Sequence, residues 1–225
     1  MRINKYIATH SHISRRSADK LIEAGRVRVN NQTARIGQLI ELHDTIAIDD
    51  KPLKAHAETI TIALHKPIGY VCSRRGQGAP TIFELLPAHL QSLQPAGRLD
   101  KDSSGLLMLS NDGDLLQQLS HPRFNKPKTY EVTLDKPLTA TDEKRIKQGV
   151  QLEDGLSHMN ISTKSKRTRL EVTLREGRNR QIRRTFQAIG YRVRSLHRTT
   201  VDTVQLDSLQ PGSWQKINLD KTPGQ

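Results

Sequence analysis

One cysteine stands in the 225 residues, Cys72. No disulfide within the chain and no cysteine metal cluster can form from it, and a reducing compartment is its natural setting. Aromatic residues make up 4% of the chain, too few for the repeated base stacking by which single-strand binders hold nucleic acid. Acidic side chains are short in supply: 23 Asp and Glu stand against 36 Lys and Arg, a formal charge of +13. The excess runs along the chain instead of collecting in a tail, and a folded protein this basic points to a polyanionic partner, usually nucleic acid. No apolar run approaches the ~18 residues of a membrane span. The start, Met1-Arg2-Ile3-Asn4-Lys5-Tyr6, has no signal-like apolar stretch. A soluble, cytoplasmic protein with no membrane partner is the expectation. The nine histidines are scattered, His10 and His12 being the closest pair, and there is no His-Glu-x-x-His string. No metal site is expected.

What is present centres on Gly97-Arg98-Leu99-Asp100, followed by Lys101-Asp102-Ser103-Ser104 and the run Gly105-Leu106-Leu107-Met108-Leu109. Gly97 permits an unusual backbone turn, Leu99 can be buried as an anchor, and Leu106 to Leu109 read as a short interior strand. An aspartate on a loop beside a core strand is placed to do chemistry, because loops on rigid scaffolds carry function. A surface Arg/Asp pair at a turn would give the same local string, so other parts of the chain must decide.

Two modules joined by a linker are expected. In residues 1–48, Ile3, Tyr6 and Ile7 fit one face of a short helix. Ser14 suits the N-cap of a second helix with Ala18, Leu21 and Ile22 inward, and Gly25 ends it. Arg26-Val27-Arg28-Val29 alternates as a strand, Asn30-Asn31 suits a tight turn, and Ile46-Ala47-Ile48 is a further strand. Arg15, Arg16, Lys20, Arg26 and Arg28 would make a cationic face. Two arginines in a helix's first turn are unfavourable, so an external phosphate is the expected partner. Residues 49–59 read as a polar linker, 60–219 as a larger unit and 220–225 as a frayed tail. In the larger unit, strands are expected near 60–64, 129–134 and 169–174, and helices near 114–119, 141–149 and 179–189. The fold class is therefore α+β: a small N-terminal α/β module plus a domain on a mostly antiparallel mixed sheet.

Ile13-Ser14-Arg15-Arg16-Ser17-Ala18, followed by Ile22-Glu23-Ala24-Gly25-Arg26-Val27-Arg28-Val29-Asn30, resembles the small RNA-binding module named after ribosomal small-subunit protein four. In the larger unit four strings follow in order: His65-Lys66-Pro67-Ile68-Gly69-Tyr70-Val71-Cys72-Ser73, the Gly97 to Leu109 string closed by Ser110-Asn111-Asp112-Gly113, Lys126-Pro127-Lys128-Thr129-Tyr130-Glu131-Val132, and Arg175-Glu176-Gly177-Arg178-Asn179-Arg180-Gln181-Ile182-Arg183-Arg184. Together they resemble the pseudouridine synthases of the ribosomal small-subunit synthase A type, over nearly the whole chain. The stretch between Asp154 and Arg167 has no recognisable pattern and reads as variable surface.

The resemblance implies a pseudouridine synthase fold, no cofactor, and isomerisation of a uridine within RNA: the glycosidic bond is cut, the uracil turns, and a ring carbon rejoins the ribose. It implies that Asp100 is the catalytic residue; whether the carboxylate attacks the base, attacks the sugar or removes a ribose proton stays open. Burial disfavours a charged carboxylate, and by resemblance Arg183 is its cationic partner. Tyr130 matches the tyrosine that stacks on the base, with at most a late proton role. Leu196 matches the apolar wall behind the uracil. Arg98 either fills the gap left by the extruded base, holds a flanking phosphate, or forms a structural salt bridge. Asp102 is read as structural, because residues i and i+2 point to opposite sides of an extended segment.

The stretch 175–198 holds eight arginines and one acid, Glu176. Phosphate contact by Arg178, Arg180 and Arg184 is expected, and with ~6–10 phosphates neutralised the affinity falls ~10³–10⁵ between 50 and 200 mM salt. The implied partner is ribosomal RNA or a pre-ribosomal subunit, met by a monomer. The Arg178-Asn179-Arg180 string leans toward large-subunit RNA, with small-subunit RNA as the alternative. A non-catalytic ribosome-assembly factor needs only the basic faces, and a nucleoside hydrolase would use Asp100 and Asp102 as acid and base.

Overall fold

A computed structural model describes residues 1–11, 13–41, 43–53, 59–76, 78–163 and 167–219. His12, the middle of the expected linker (54–58), residues 164–166 and the expected tail (220–225) lie outside the described residues. The described chain divides into two compact units, Met1–Ile60 with Asn111–Gly113, and Thr61–Ser110 with the residues from Asp114 on.

The first unit contains α1 (Ile3–His10), α2 (Arg15–Glu23), β1 (Val27–Val29), β2 (Gln32–Thr33), β3 (Ile46–Ile48) and β4 (Lys51–Pro52). Ser14 caps α2 by accepting the Ser17 amide at 3.1 Å, and Gly25 follows the helix at φ +69°. Asn30 and Asn31 take φ +48° and +66°, the two left-handed positions of a tight hairpin. The four strands run in the order β2-β1-β3-β4. Ile3, Ile7, Ala18, Ile22, Val27 and Ile46 pack into one core; each large aliphatic contributes about 1.5–3 kcal/mol by leaving water. β4 pairs with β3 inside the segment expected to be linker, so ordered structure continues past residue 48.

The second unit is built on β5 (Thr61–Lys66), β6 (Gln94–Pro95), β7 (Ser104–Ser110), α3 (Gly113–Ser120), β8 (Lys128–Leu134), α4 (Ala140–Gln148), β9 (Val150–Leu152), β10 (Gly155–Ser157), β11 (Asn160–Thr163), β12 (Arg169–Leu174), α5 (Gln181–Ala188), β13 (Val193–Val201), β14 (Val204–Gln205) and β15 (Trp214–Lys216). One sheet has the order β11-β12-β8-β13-β7-β5-β15, with β14 on β13 and β6 on β7. Only the β13/β7 pair is parallel among the described strands of this sheet. β9 and β10 form a separate hairpin. The segment read as variable surface therefore carries β10 and β11 in its described part.

Two strands meet because Gly105 has no side chain. It lies at φ +110°, and a Cβ there would sit 2.2 Å from the Arg198 carbonyl oxygen. Any other residue would push β13 off β7. β8 alternates buried and outward residues, placing Lys128, Tyr130, Val132 and Leu134 on one face. β13 presents Leu196 and Arg198 beside them, in register with Val132 and Tyr130.

Candidate active site

The loop that carries Asp100 is held from three sides. Gly97 turns it at φ +79°. Leu99 is buried, and its backbone is clamped by Cys72, whose thiol donates to the Leu99 carbonyl (3.3 Å) and accepts the Leu99 amide (3.4 Å). Lys66, at the end of β5, is fully buried, and its ammonium donates to the carbonyls of Pro67 (3.0 Å), Asp100 (3.0 Å) and Ser103 (2.7 Å). Three carbonyls use all three ammonium donors. Burial pushes the Lys66 pKa down, with Cys72, Asp100 and Asp102 opposing. The sequence motif contains Lys66 without marking a role for it. The available signal was a lysine closing an unbroken buried strand, where a charge is tolerated only if tied down.

Asp100 is one-third exposed (33%), and the cation within ion-pair distance of it is Arg180, at 3.4 Å. Arg183 stands elsewhere. It donates to the Asp102 carbonyl (2.9 Å), Ser103 Oγ (3.3 Å) and the Val193 carbonyl (3.1 Å), and its Nε lies 3.4 Å from the Asp102 carboxylate. The expected Arg183–Asp100 pair is thus replaced by Arg180–Asp100, with Arg183 behind the loop. Arg180 also grips Asp102 with two bonds of 3.0 Å. The expectation that Asp100 and Asp102 face apart fails because residues 101–102 form a turn, where strand alternation does not apply. Hydrogen bonding from Arg180 holds the Asp102 carboxyl below its ordinary range, with the charges of Arg183 and Arg180 adding to it against some burial. The same bond raises Arg180, while burial lowers Arg183.

A cavity of about 260 Å³ opens beside Asp100. That lies just under the ~300–1,000 Å³ usual for ligand pockets. Asp100, Tyr130, Leu196, Arg180, Lys128 and Arg198 line it. Tyr130 and Leu196, with Leu174 and Ile182, supply its apolar lining. Arg198 lies beneath Tyr130, its guanidinium carbon 6.0 Å from the ring centroid. Its Nε donates to the Leu106 carbonyl at 2.7 Å, while Nη2 is buried with no hydrogen-bond partner. An unmade bond to a buried donor costs about 1–3 kcal/mol. Arg98 is exposed at the cavity wall, with no ion pair among the described residues. Of its expected roles, the structural salt bridge is absent there.

The remaining arginines divide by what holds them. Arg178 donates to the carbonyls of Asp154, Gly155 and Leu156 and pairs with Asp154 and Glu176. Arg184 grips Asp154 with bonds of 3.0 and 2.7 Å and donates to the Asn179 carbonyl. Arg178, Arg180 and Arg184, the arginines expected on phosphate, fasten the β9–β10 hairpin and the Asp100 loop within the chain. For Arg178 and Arg184 the reason is Asp154, which no local pattern links to residues 24 and 30 positions away; for Arg180 it is Asp102 and Asp100. In the first unit, Arg26 is bidentate on Asp49 (2.7 and 2.6 Å) and Arg28 lies 3.3 Å from Asp50. Arg15, Arg16 and Lys20 are exposed on α2; among the described residues only Arg15 has a partner, Asn4 at 3.3 Å. No described group of histidine, cysteine or carboxylate residues has metal-site geometry. No described helix is long and apolar enough to cross a membrane.

Comparison with known proteins bears on what this cavity does. Residues 60–188 match the RNA pseudouridylate synthase family, and residues 1–46 match the S4 domain. The ribosomal small subunit pseudouridine synthase A of Escherichia coli is 34% identical over 227 residues, covering 98% of each chain. The dual-specificity RNA pseudouridine synthase RluF of the same species is 33% identical, covering 98% of this chain and 77% of that one. A crystal structure of a pseudouridylate synthase superposes with a TM-score of 0.71 at 31% identity, over 97% of this chain and 96% of that one. The family match falls on the unit that holds Asp100, Tyr130 and their cavity, and the relatives run the length of the chain: it belongs to the RNA pseudouridylate synthases and is an enzyme that isomerises uridine in RNA.

Proposed function

We propose that the enzyme converts a specific uridine of ribosomal RNA to pseudouridine at the Asp100 cavity. Asp100 is the catalytic carboxylate, Tyr130 stacks on the base, and Leu196 backs it. The observation that carries this reading is convergence. Positions 100, 130 and 196, from three distant strings, line one cavity. Arg180 supplies the charge partner and Arg183 holds the loop. Exposed Arg98 at the cavity wall suits a phosphate flanking the extruded base, whose unstacking costs a few kcal/mol.

Large-subunit RNA is the proposed substrate. The Arg178-Asn179-Arg180 string supports it, and the residues of that string frame the cavity. Overall similarity does not separate the subunits, since a small-subunit synthase and a dual-specificity synthase are about equally alike, at 34% and 33%.

The test is to incubate the protein and its Asp100→Asn variant with protein-poor ribosomal RNA and map modified uridines in both subunit RNAs. One new pseudouridine in large-subunit RNA, absent with the variant and absent from cells lacking the gene, is the expected result. Modification confined to small-subunit RNA overturns the subunit choice. Activity retained by Asp100→Asn overturns the assignment of the carboxylate.

A further inference from the structure

Asp100 and Arg180 are part of the cavity lining, and two further cations line the same cavity without pairing to either of them. Arg198 is a cavity-lining residue only 2% exposed, and its buried Nη2 has no hydrogen-bond partner. Lys128 is 8% exposed in the same lining, and its ammonium has one weak acceptor, the Lys126 carbonyl at 3.4 Å. Burial lowers the Lys128 pKa, and Arg198 lowers it further; Asp202 opposes from a position where it already pairs with Lys126 at 2.7 Å. Two buried cations that repel each other, one with an unused donor, form a site for a negatively charged oxygen.

The fold fixes which part of a nucleotide reaches them. Strand alternation puts Lys128 and Tyr130 on one face of β8, and Leu196 and Arg198 on the adjoining face of β13. The two cations therefore share a wall with the apolar pair that would hold a planar ring. A flanking phosphate would meet Arg98, an exposed residue of the same lining, instead.

We propose that Arg198 and Lys128 bind a carbonyl oxygen of the extruded uracil and stabilise the negative charge the ring acquires when its bond to ribose breaks. This rests on the reading of the Asp100 cavity as the catalytic centre. The N1–C1′ pair stays with the ring, so the leaving group is a uracil anion with charge shared onto its carbonyl oxygens. A ring π pair at C5 then forms the C5–C1′ bond. C5 loses its proton and N1 gains one, so no oxidant, reductant or added group is needed. A neutral carbonyl is a modest acceptor and the anion a strong one, so the contact strengthens along the reaction and accelerates it.

The test uses the full chain and a ribosomal RNA transcript carrying the mapped uridine. Single-turnover rates and RNA affinity are measured for wild type, Lys128→Met and Arg198→Gln, with thermal unfolding as the check on folding. The expected result is a rate loss of ~10²–10³-fold, the size seen when one such donor is removed, with RNA affinity unchanged. The transcript is also made with 2-thiouridine or 4-thiouridine at the target, since sulfur is a poor acceptor. One of these should slow wild type and add no further slowing in the variants, which identifies the oxygen held. Wild-type rate in a folded variant overturns the proposal. So does a rate loss matched by an equal affinity loss, which marks a phosphate contact, and so do thio effects undiminished in the variants. If Arg198→Gln does not fold, Lys128→Met decides, because its ammonium makes only the long Lys126 bond. Asp100→Asn separates the two readings: if it is inactive while Lys128→Met keeps full rate, only the present proposal fails; if it is active, the catalytic centre itself is misplaced.

Discussion

Arg180 holds two carboxylates with one guanidinium, and its value lies in position more than in stability. Its side chain is 43% exposed, and exposed ion pairs contribute about 0–1 kcal/mol. Arg180→Ala should therefore unfold within a few degrees of wild type, yet lose pseudouridine formation because Asp100 loses its partner. Circular dichroism melting and a tritium-release or mapping assay check both halves, and an active Arg180→Ala enzyme would rule out the role. Lys66 is the opposite case. It is buried, and three carbonyls depend on it, two of them in the Asp100 loop. Lys66→Met keeps the volume and strands those acceptors, at about 3 kcal/mol, which lowers Tm by roughly 6–12 °C for a unit of this size. Activity should fall with it, as the Asp100 loop loosens. An unchanged melting temperature would show that the clamp carries no weight.

Elements whose residues speak locally could be read from the chain. The Ser14 cap, the Asn30-Asn31 turn and the apolar run through Leu109 each carry their own signal, and α2, the β1 hairpin and β7 appear where that signal lies. β13 gave no such signal: Val193–Val201 is rich in arginine and threonine and reads as a phosphate-binding stretch, because its strand character comes from β7 and β8 on either side. The partner of Arg183 was equally hidden, since it depends on a turn at 101–102 and not on residue spacing. β13 also sets a pH response. His197 lies between cavity-lining Leu196 and Arg198, with Nδ1 2.9 Å from Ser104 Oγ and its ring 5.3 Å from that of His65. Burial lowers its pKa below 6.5, nearby His65 adds to this, and Glu131 opposes. The folded chain thus favours neutral imidazole, and in the window below pH 6.5 the unfolded chain binds more protons. Stability should decline as pH falls through about 6.5 and level off below the folded pKa. Urea midpoints between pH 8 and pH 5 test this: the decline should be shallower in His197→Asn, and an identical slope would assign it to other groups.

At the scale of the whole molecule, a charge of +13 overstates the number of cations ready for phosphate. Arg26, Arg28, Arg178, Arg180 and Arg184 are each paired with carboxylates of the chain. Arg16, Lys20 and Arg98 are exposed with no ion pair among the described residues, and Arg15 holds only an amide oxygen. The absence of any acid in the first turn of α2 leaves Arg15 and Arg16 facing an uncompensated helix terminus, where a bound phosphate relieves both charges and dipole. Each cation that displaces a counterion contributes about 0.7–0.9 to the slope of log affinity against log salt. Arg16→Ala and Lys20→Ala should each reduce that slope by about this amount and weaken RNA binding at low salt. Arg184→Ala should leave the slope unchanged while lowering thermal stability, because its guanidinium is already bonded to Asp154 and to the Asn179 carbonyl. Filter binding across a salt series separates the two classes. A slope change for Arg184→Ala equal to that for Arg16→Ala would mean that RNA draws the arginine away from Asp154, and the division between fastening and binding cations would fall.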